Sequence, residues 1–186
     1  MSRPVRRSAR RRSWPRLLPA LALLLLLTSC SSTRRIADID FAQLVRASQR
    51  LGFDIEYKDD YPLYVESASW IGTPYRYGGN DRRGVDCSGL ARHIYRVCYR
   101  TDIPRQSQQQ YDDCDRHVRK RRLRPGDLVF FRQEGTRRIR RKVNHVGIYM
   151  KDGLFLHASS SRGVIVSRLD NPYWRKLWLR GGRYRK

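Results

Sequence analysis

At 186 residues and 40% hydrophobic content, the chain holds enough apolar mass for one well-packed domain plus a targeting segment, and too little for two full domains. The formal charge of +23 would ordinarily point to nucleic acid, but the excess is spread along the whole chain and partly concentrated at its start. Residues 1–29 carry seven arginines and no acid, and the remainder is still strongly basic, so an anionic envelope surface suits this charge as well as a phosphate backbone does.

The N-terminus reads as an export signal. Arg3, Arg6, Arg7, Arg10, Arg11, Arg12 and Arg16 precede an apolar run, Leu17 to Leu27, shorter than the ~20 residues a bilayer-spanning helix needs. The run ends in Leu27-Thr28-Ser29-Cys30, which resembles the lipobox of bacterial lipoproteins. That resemblance implies cleavage before Cys30, with diacylglycerol on its thiol and a further acyl chain on its amine, and two or more chains anchor stably where one is marginal. Ser31 and Ser32, with no Asp at this point, resemble the sorting pattern for the outer membrane of a two-membrane cell, facing the periplasm. The expected division is a signal peptide at 1–29, a lipidated tether at 30–37 and one domain at 38–186. Export also argues against a nucleic-acid partner.

Along the domain, Ile39, Phe41, Leu44, Val45, Ala47 and Leu51 suit an amphipathic helix from Asp38 to Leu51, stopped by Gly52. A second helix is expected from Pro62 to Trp70, stopped by Gly72-Thr73-Pro74. A Gly-rich loop, Tyr75 to Gly84, leads to a third helix from Cys87 to Val97, and Pro104 opens a polar helical stretch, Gln106 to Asp113. After residue 123 the period changes. Short apolar runs at 128–131, 146–150, 154–157 and 163–166 are separated by Pro125-Gly126-Asp127, Lys151-Asp152-Gly153 and Ser161-Arg162-Gly163, and these read as strands of an antiparallel sheet. Helices followed by a sheet make an α+β fold. The segment from Arg132 to Asn144, with Arg137, Arg138, Arg140, Arg141 and Lys142, reads as a charged hairpin loop.

The chemistry centres on Cys87. Placed at a helix N-terminus, its sulfur would meet the macrodipole and unpaired N–H groups that favour a thiolate and can also bind an oxyanion. His145 begins one strand and His157 ends the next. With a turn at Lys151-Asp152-Gly153, positions 145 and 157 are expected to face each other across the pair, ~5 Å apart at Cβ, so that one imidazole fixes the other. This supplies a nucleophile, a base and a group that orients the base. Cys98 and Cys114 either pair in an oxidising compartment or remain two buried thiols. The absence of any C-x-x-C pair argues against structural zinc.

Trp70-Ile71-Gly72-Thr73-Pro74-Tyr75-Arg76-Tyr77-Gly78-Gly79, Asp86-Cys87-Ser88-Gly89-Leu90, Arg124-Pro125-Gly126-Asp127-Leu128-Val129-Phe130-Phe131, His145-Val146-Gly147-Ile148-Tyr149 and His157-Ala158-Ser159 together resemble, in order and spacing, the NlpC-type (NlpC/p60) cysteine peptidases of bacterial cell walls. The likeness covers roughly residues 62–180. It implies a reduced papain core with N-terminal helices packed on an antiparallel sheet, hydrolysis of amide bonds in peptidoglycan stem peptides or their cross-links, and no metal or other cofactor. Cys87, His145 and His157 match the family's catalytic triad. Tyr75 would line the site and help polarise the scissile carbonyl, Asp86 and Ser88 would shape the substrate pocket, and Arg76 is a further substrate contact. The competing readings are a non-catalytic wall-binding scaffold, and a papain-like amidase or acyltransferase acting on another substrate.

Overall fold

The computed structural model describes residues 40–56, 58–132 and 142–185. The export segment, Cys30, the tether, Asp38, Ile39 and most of the arginine-rich loop lie outside these residues. Among the described residues no helix is long and apolar enough to cross a membrane.

Helix α1 (Phe41–Leu51) is capped by Asp40, whose carboxylate accepts from the Ala42 N–H, and it stops at Gly52 in the left-handed region. Helix α2 (Tyr61–Trp70) begins one residue before the expected proline because Asp60 caps it and Pro62 sits in its first turn. A small hairpin, β1 (Asn80–Asp81) and β2 (Gly84–Val85), follows within the Gly-rich loop. Helix α3 runs Cys87–Tyr99, two residues beyond the expected end, to Arg100 in the left-handed region, and α4 is a short helix, Ser107–Asp112.

The sheet has six strands in the order β3-β8-β4-β5-β6-β7: β3 (Arg116–Val118), β4 (Leu128–Arg132), β5 (Val143–Tyr149), β6 (Leu154–Ser159), β7 (Gly163–Arg168) and β8 (Trp178–Arg183). All of its pairings are antiparallel, so the helices-then-sheet reading holds. The edge strand β3 and the inner strand β8 were not expected. Their sequences, Arg-His-Val and Trp-Leu-Arg-Gly-Gly-Arg, lack strict alternation. Gly181 and Gly182 are instead selected by packing, since a Cβ there would meet Leu123 and Phe130 at 2.6 and 2.7 Å.

Alternation along β4 divides the interior. Leu128 and Phe130 join Leu63, Tyr64, Trp70, Leu90 and Ile94 in the larger core between sheet and helices. Val129 and Phe131 face the other way, onto Phe155, Leu169 and Leu177, under Trp174 and Trp178. That second face is closed by helix α5 (Pro172–Leu177), capped by Asn171. Asp127, buried before β4, accepts 2.7 Å bonds from Arg183 Nε and Nη2 and so locks β4 to β8. Cys98 and Cys114 are not bonded to each other. The Cys98 thiol donates to Pro62 O and that of Cys114 to Tyr111 O, each at 3.3 Å.

The turn between β5 and β6 corrects the expected register. Asp152 and Gly153 both have positive φ, 50° and 78°, and the pairs are Ile148 with Leu156 and Tyr149 with Phe155. Continued along the strands, this register sets His157 opposite Gly147 rather than His145. Because the slip is two residues, both histidines stay on one face and become diagonal neighbours, still within reach of long side chains.

Gly163 joins the far edge of the sheet to the Tyr75 loop. Val164 N donates to Thr73 O and Gly72 N donates to Val164 O, both at 2.9 Å. Gly163 has φ of 70°, and a Cβ would stand 2.4 Å from Thr73 O. Gly163→Ala is therefore expected to cost about 2 kcal/mol or more in urea unfolding through backbone strain and collision together. A change within experimental error would show that this junction is slack.

Candidate active site

A cleft of about 700 Å³ is lined by Tyr75, Cys87, His145 and His157, with Arg132, Asn144, Arg162 and Trp174 among the other groups around it. The four residues that sequence motifs selected from four separate segments thus share one cavity.

Cys87 opens α3 because Asp86 caps it, accepting the Gly89 N–H at 2.7 Å. The capping carboxylate accepts four further bonds, from Gly78 N at 2.9 Å, Ser88 Oγ at 3.1 Å, and Arg105 Nη1 and Nη2 at 2.8 and 2.7 Å. Arg105 also donates to Ser88 Oγ and Gly79 O. Burial penalises this carboxylate, but the Arg105 fork and the Gly89 N–H outweigh it and hold its pKa below the usual range. Asp86 and Ser88 are therefore turned into this network and are absent from the cleft lining. They position Cys87 from behind. Arg76 is exposed and reaches Asp81 at 3.3 Å, also away from the lining.

Tyr75 is brought beside Cys87 by a bridge to Val85, with Val85 N donating to Pro74 O at 3.0 Å and Arg76 N to Val85 O at 3.2 Å. Burial, with the Asp86 charge behind it, raises its phenol pKa and keeps it a neutral donor.

His145 Nε2 lies 3.0 Å from His157 Nδ1, and His157 Nε2 lies 2.9 Å from Ser167 Oγ. Both contacts are diagonal across antiparallel pairs, since Phe155, not His157, is registered with Ser167. Trp174 packs against both rings, stacked on His145 with centroids 5.3 Å apart and edge-on to His157 at 4.9 Å. A neutral His145 whose Nε2–H donates to His157 has an unprotonated Nδ1, the nitrogen a base must offer; His157 then donates from Nε2 to Ser167.

Desolvation dominates the titration of the site. It pulls His145 down to about 4. It holds His157 well below its ordinary value, with His145 and Arg162 adding to the effect. It pushes the Cys87 thiol up to about 11, against the opposing Val146 N–H and with the Asp86 charge reinforcing it. No hydrogen bond joins Cys87 to His145 in this conformation. The resting pair is thus neutral, in contrast to the thiolate expected from a helix N-terminus, because the sulfur is desolvated and has no imidazolium in contact to stabilise its charge.

Sequence reasoning missed Arg105, Ser167 and the role of Trp174. Arg105 and Ser167 carry no local signature, and Trp174 packs against the two imidazoles.

Two outcomes follow from these contacts. Arg105→Ala strands a buried carboxylate and is expected to cost about 3 kcal/mol or more, which urea unfolding would register; a loss below 1 kcal/mol would mean that water replaces the guanidinium without penalty. For the histidines, the unfolded chain takes up protons near pH 6.5 while the folded His145 does so only near 4, so stability is full above that window and falls as pH drops through it. His157→Asn should flatten this fall, measured as unfolding free energy at pH 7 against pH 4.5, and an unchanged slope would count against burial of a neutral pair.

Comparison with known proteins agrees with this geometry. The NlpC/P60 family model matches residues 72–183. The chain is 33% identical over 172 residues to the murein DD-endopeptidase MepS/murein LD-carboxypeptidase of Escherichia coli K12, covering 87% of each protein. It is 48% identical over 112 residues to the probable endopeptidase NlpC of the same organism, covering 58% of this chain and 67% of that one. Among solved structures, an NlpC/P60 family protein from Bacillus cereus matches with a TM-score of 0.60 and 30% identity, over 70% of this chain and 42% of the other. With that match across more than half its length and a cysteine, two histidines and a tyrosine gathered in one cleft, the chain belongs to the NlpC/P60 family.

Proposed function

We propose that the protein is a cysteine endopeptidase of peptidoglycan, exported and held by lipid on Cys30 at the outer membrane, facing the periplasm. The observation that carries the catalytic reading is the hydrogen-bonded series His145, His157, Ser167, whose two imidazoles line the same cleft as Cys87 and Tyr75. The murein endopeptidase activity named for the Escherichia coli relative supports the substrate. The reading of Cys30 rests on its sequence context alone.

In this mechanism an amide carbonyl of a stem peptide enters between Cys87 and Tyr75. The thiol adds to the carbon as its proton passes to His145 Nδ1, so charge separates only in the presence of substrate. N–H groups at the start of α3 and the Tyr75 hydroxyl meet the developing oxyanion. His145 then protonates the departing amine, and water, deprotonated by the same ring, cleaves the thioester. His157 stabilises the imidazolium through Nδ1 and fixes the productive tautomer. Ser167 does the same for His157.

Among the described residues, the cleft lining holds two guanidinium groups, Arg132 and Arg162, and no carboxylate. This polarity suits stem peptides, whose diamino-acid and terminal residues carry free carboxylates, since arginine binds carboxylates with paired, charge-assisted hydrogen bonds. The lack of a resting Cys87–His145 hydrogen bond favours, as a second reading, a wall-binding scaffold that no longer cleaves.

Muropeptide release from purified sacculi separates the two. Cys87→Ala should reduce release about a thousandfold or more while the protein remains folded, and wild-type protein that releases nothing would leave only the scaffold. Arg162→Ala is expected to raise KM about tenfold with kcat nearly unchanged. Ser167→Ala should lower kcat about tenfold, with Ser167→Thr restoring it; a loss that threonine does not rescue would assign Ser167 to packing alone.

A further inference from the structure

A second hollow, of about 750 Å³, lies at the opposite edge of the sheet from the histidines, between β3, the turn at Lys120–Arg122 and β8. Arg116, Arg119, Arg121, Arg122, Arg124 and Arg180 line it, all of them exposed. Several arginines elsewhere are matched to acids: Arg92 and Arg96 share Asp102, Arg105 holds Asp86, and Arg168 pairs with Asp170. Arg183, which also reaches the hollow, is consumed by Asp127. Among the described residues, none of the six has an ion pair or a side-chain hydrogen bond, and no carboxylate lines the hollow.

Six like charges around one concavity repel one another, and the cost falls when anions enter. Guanidinium forks bind phosphate oxygens in pairs. The remaining surface of the hollow includes Val118 and Leu123, so an apolar patch lies among the charges. Nucleic acid fits this surface poorly. His117 is the one ring in the lining, which leaves no aromatic platform for bases, and a three-residue edge strand with a single tight turn offers no element to enter a duplex groove.

We propose that this hollow docks the protein on a membrane surface by binding the phosphates of anionic lipid headgroups. No residue lines both this hollow and the catalytic cleft, and the strand order sets β3 at one end of the sheet and β6 and β7 at the other. A surface bound here leaves Cys87 and the histidines open to a polymer on the far side. The inference goes beyond the peptidase reading and stands whether or not Cys30 carries lipid.

The test is sedimentation of the full chain with vesicles of phosphatidylcholine alone or mixed with phosphatidylglycerol, at low and high salt. The wild type is compared with a variant carrying Arg119→Gln, Arg121→Gln, Arg122→Gln and Arg180→Gln. Any N-terminal anchor acts equally on both proteins and cancels. The anionic vesicles should bind the wild type at least about tenfold more tightly than neutral ones, salt should erase the difference, and the variant should lose it while keeping wild-type release of muropeptides. Should the fourfold variant fail to fold, Arg121→Gln and Arg180→Gln singly are expected to show graded losses. Equal binding to both vesicle types, or undiminished preference in the folded variants, overturns the proposal. So does a DNA oligonucleotide that binds the wild type more tightly than the anionic vesicles do, since the hollow would then be a nucleic-acid site.

Discussion

The geometry of the site depends on the pairing of one buried carboxylate with one guanidinium. Asp86 accepts five hydrogen bonds, two of them from Arg105, and these tie together three pieces of chain: the Gly-rich loop, the first turn of α3 and the segment after Pro104. Without the guanidinium the carboxylate would be a desolvated charge, several kcal/mol too costly to keep. With it, the carboxylate becomes a rigid post that holds the start of α3, and with it Cys87, in place. Gln110 reinforces the same point, donating to Ser88 O and Pro104 O. The residues flanking the cysteine thus act on its direction, and the pocket is shaped by others.

Opposite this post, the sheet supplies the two histidines of the cleft. β5, β6 and β7 each contribute one member of the His145, His157, Ser167 series, and each contact runs diagonally to the strand pairing. Closure of the sheet's second face by α5 and Trp174 desolvates the pair and holds both imidazoles neutral. A neutral imidazole and a neutral thiol store no charge in the resting site. In the proposed mechanism the electrostatic work is deferred until a substrate carbonyl is present to receive it.

The charge of the chain is also divided by location. Where arginines meet acids they clip loops to helices, as at Asp86 and Asp102, or strand to strand, as at Asp127. Among the described arginines without an acid partner, two line the cleft with Cys87 and the histidines, and six line the distant hollow. A net charge that first suggested nucleic acid is thereby resolved in part into scaffold contacts, a cleft lining and a surface patch.

Local chemistry determined much of this protein before any fold was drawn. Asp40, Asp60 and Asp86 cap their helices because a short acid accepts the orphan N–H groups at that spacing. The apolar runs after residue 123 form strands because their period matches a sheet buried on both faces. Cys87, His145, His157 and Tyr75 were legible because the motifs around them are local. Tertiary structure alone decided the rest. The pairing of β5 with β6 was set by where a left-handed pair of turn residues fell, which moved His157 two places and left its partner unchanged. Arg105 and Ser167 were invisible because only long-range contact gives them a role. The state of the thiol could not be read from its helix position, because burial, which acts against ionisation, is a property of the packed whole.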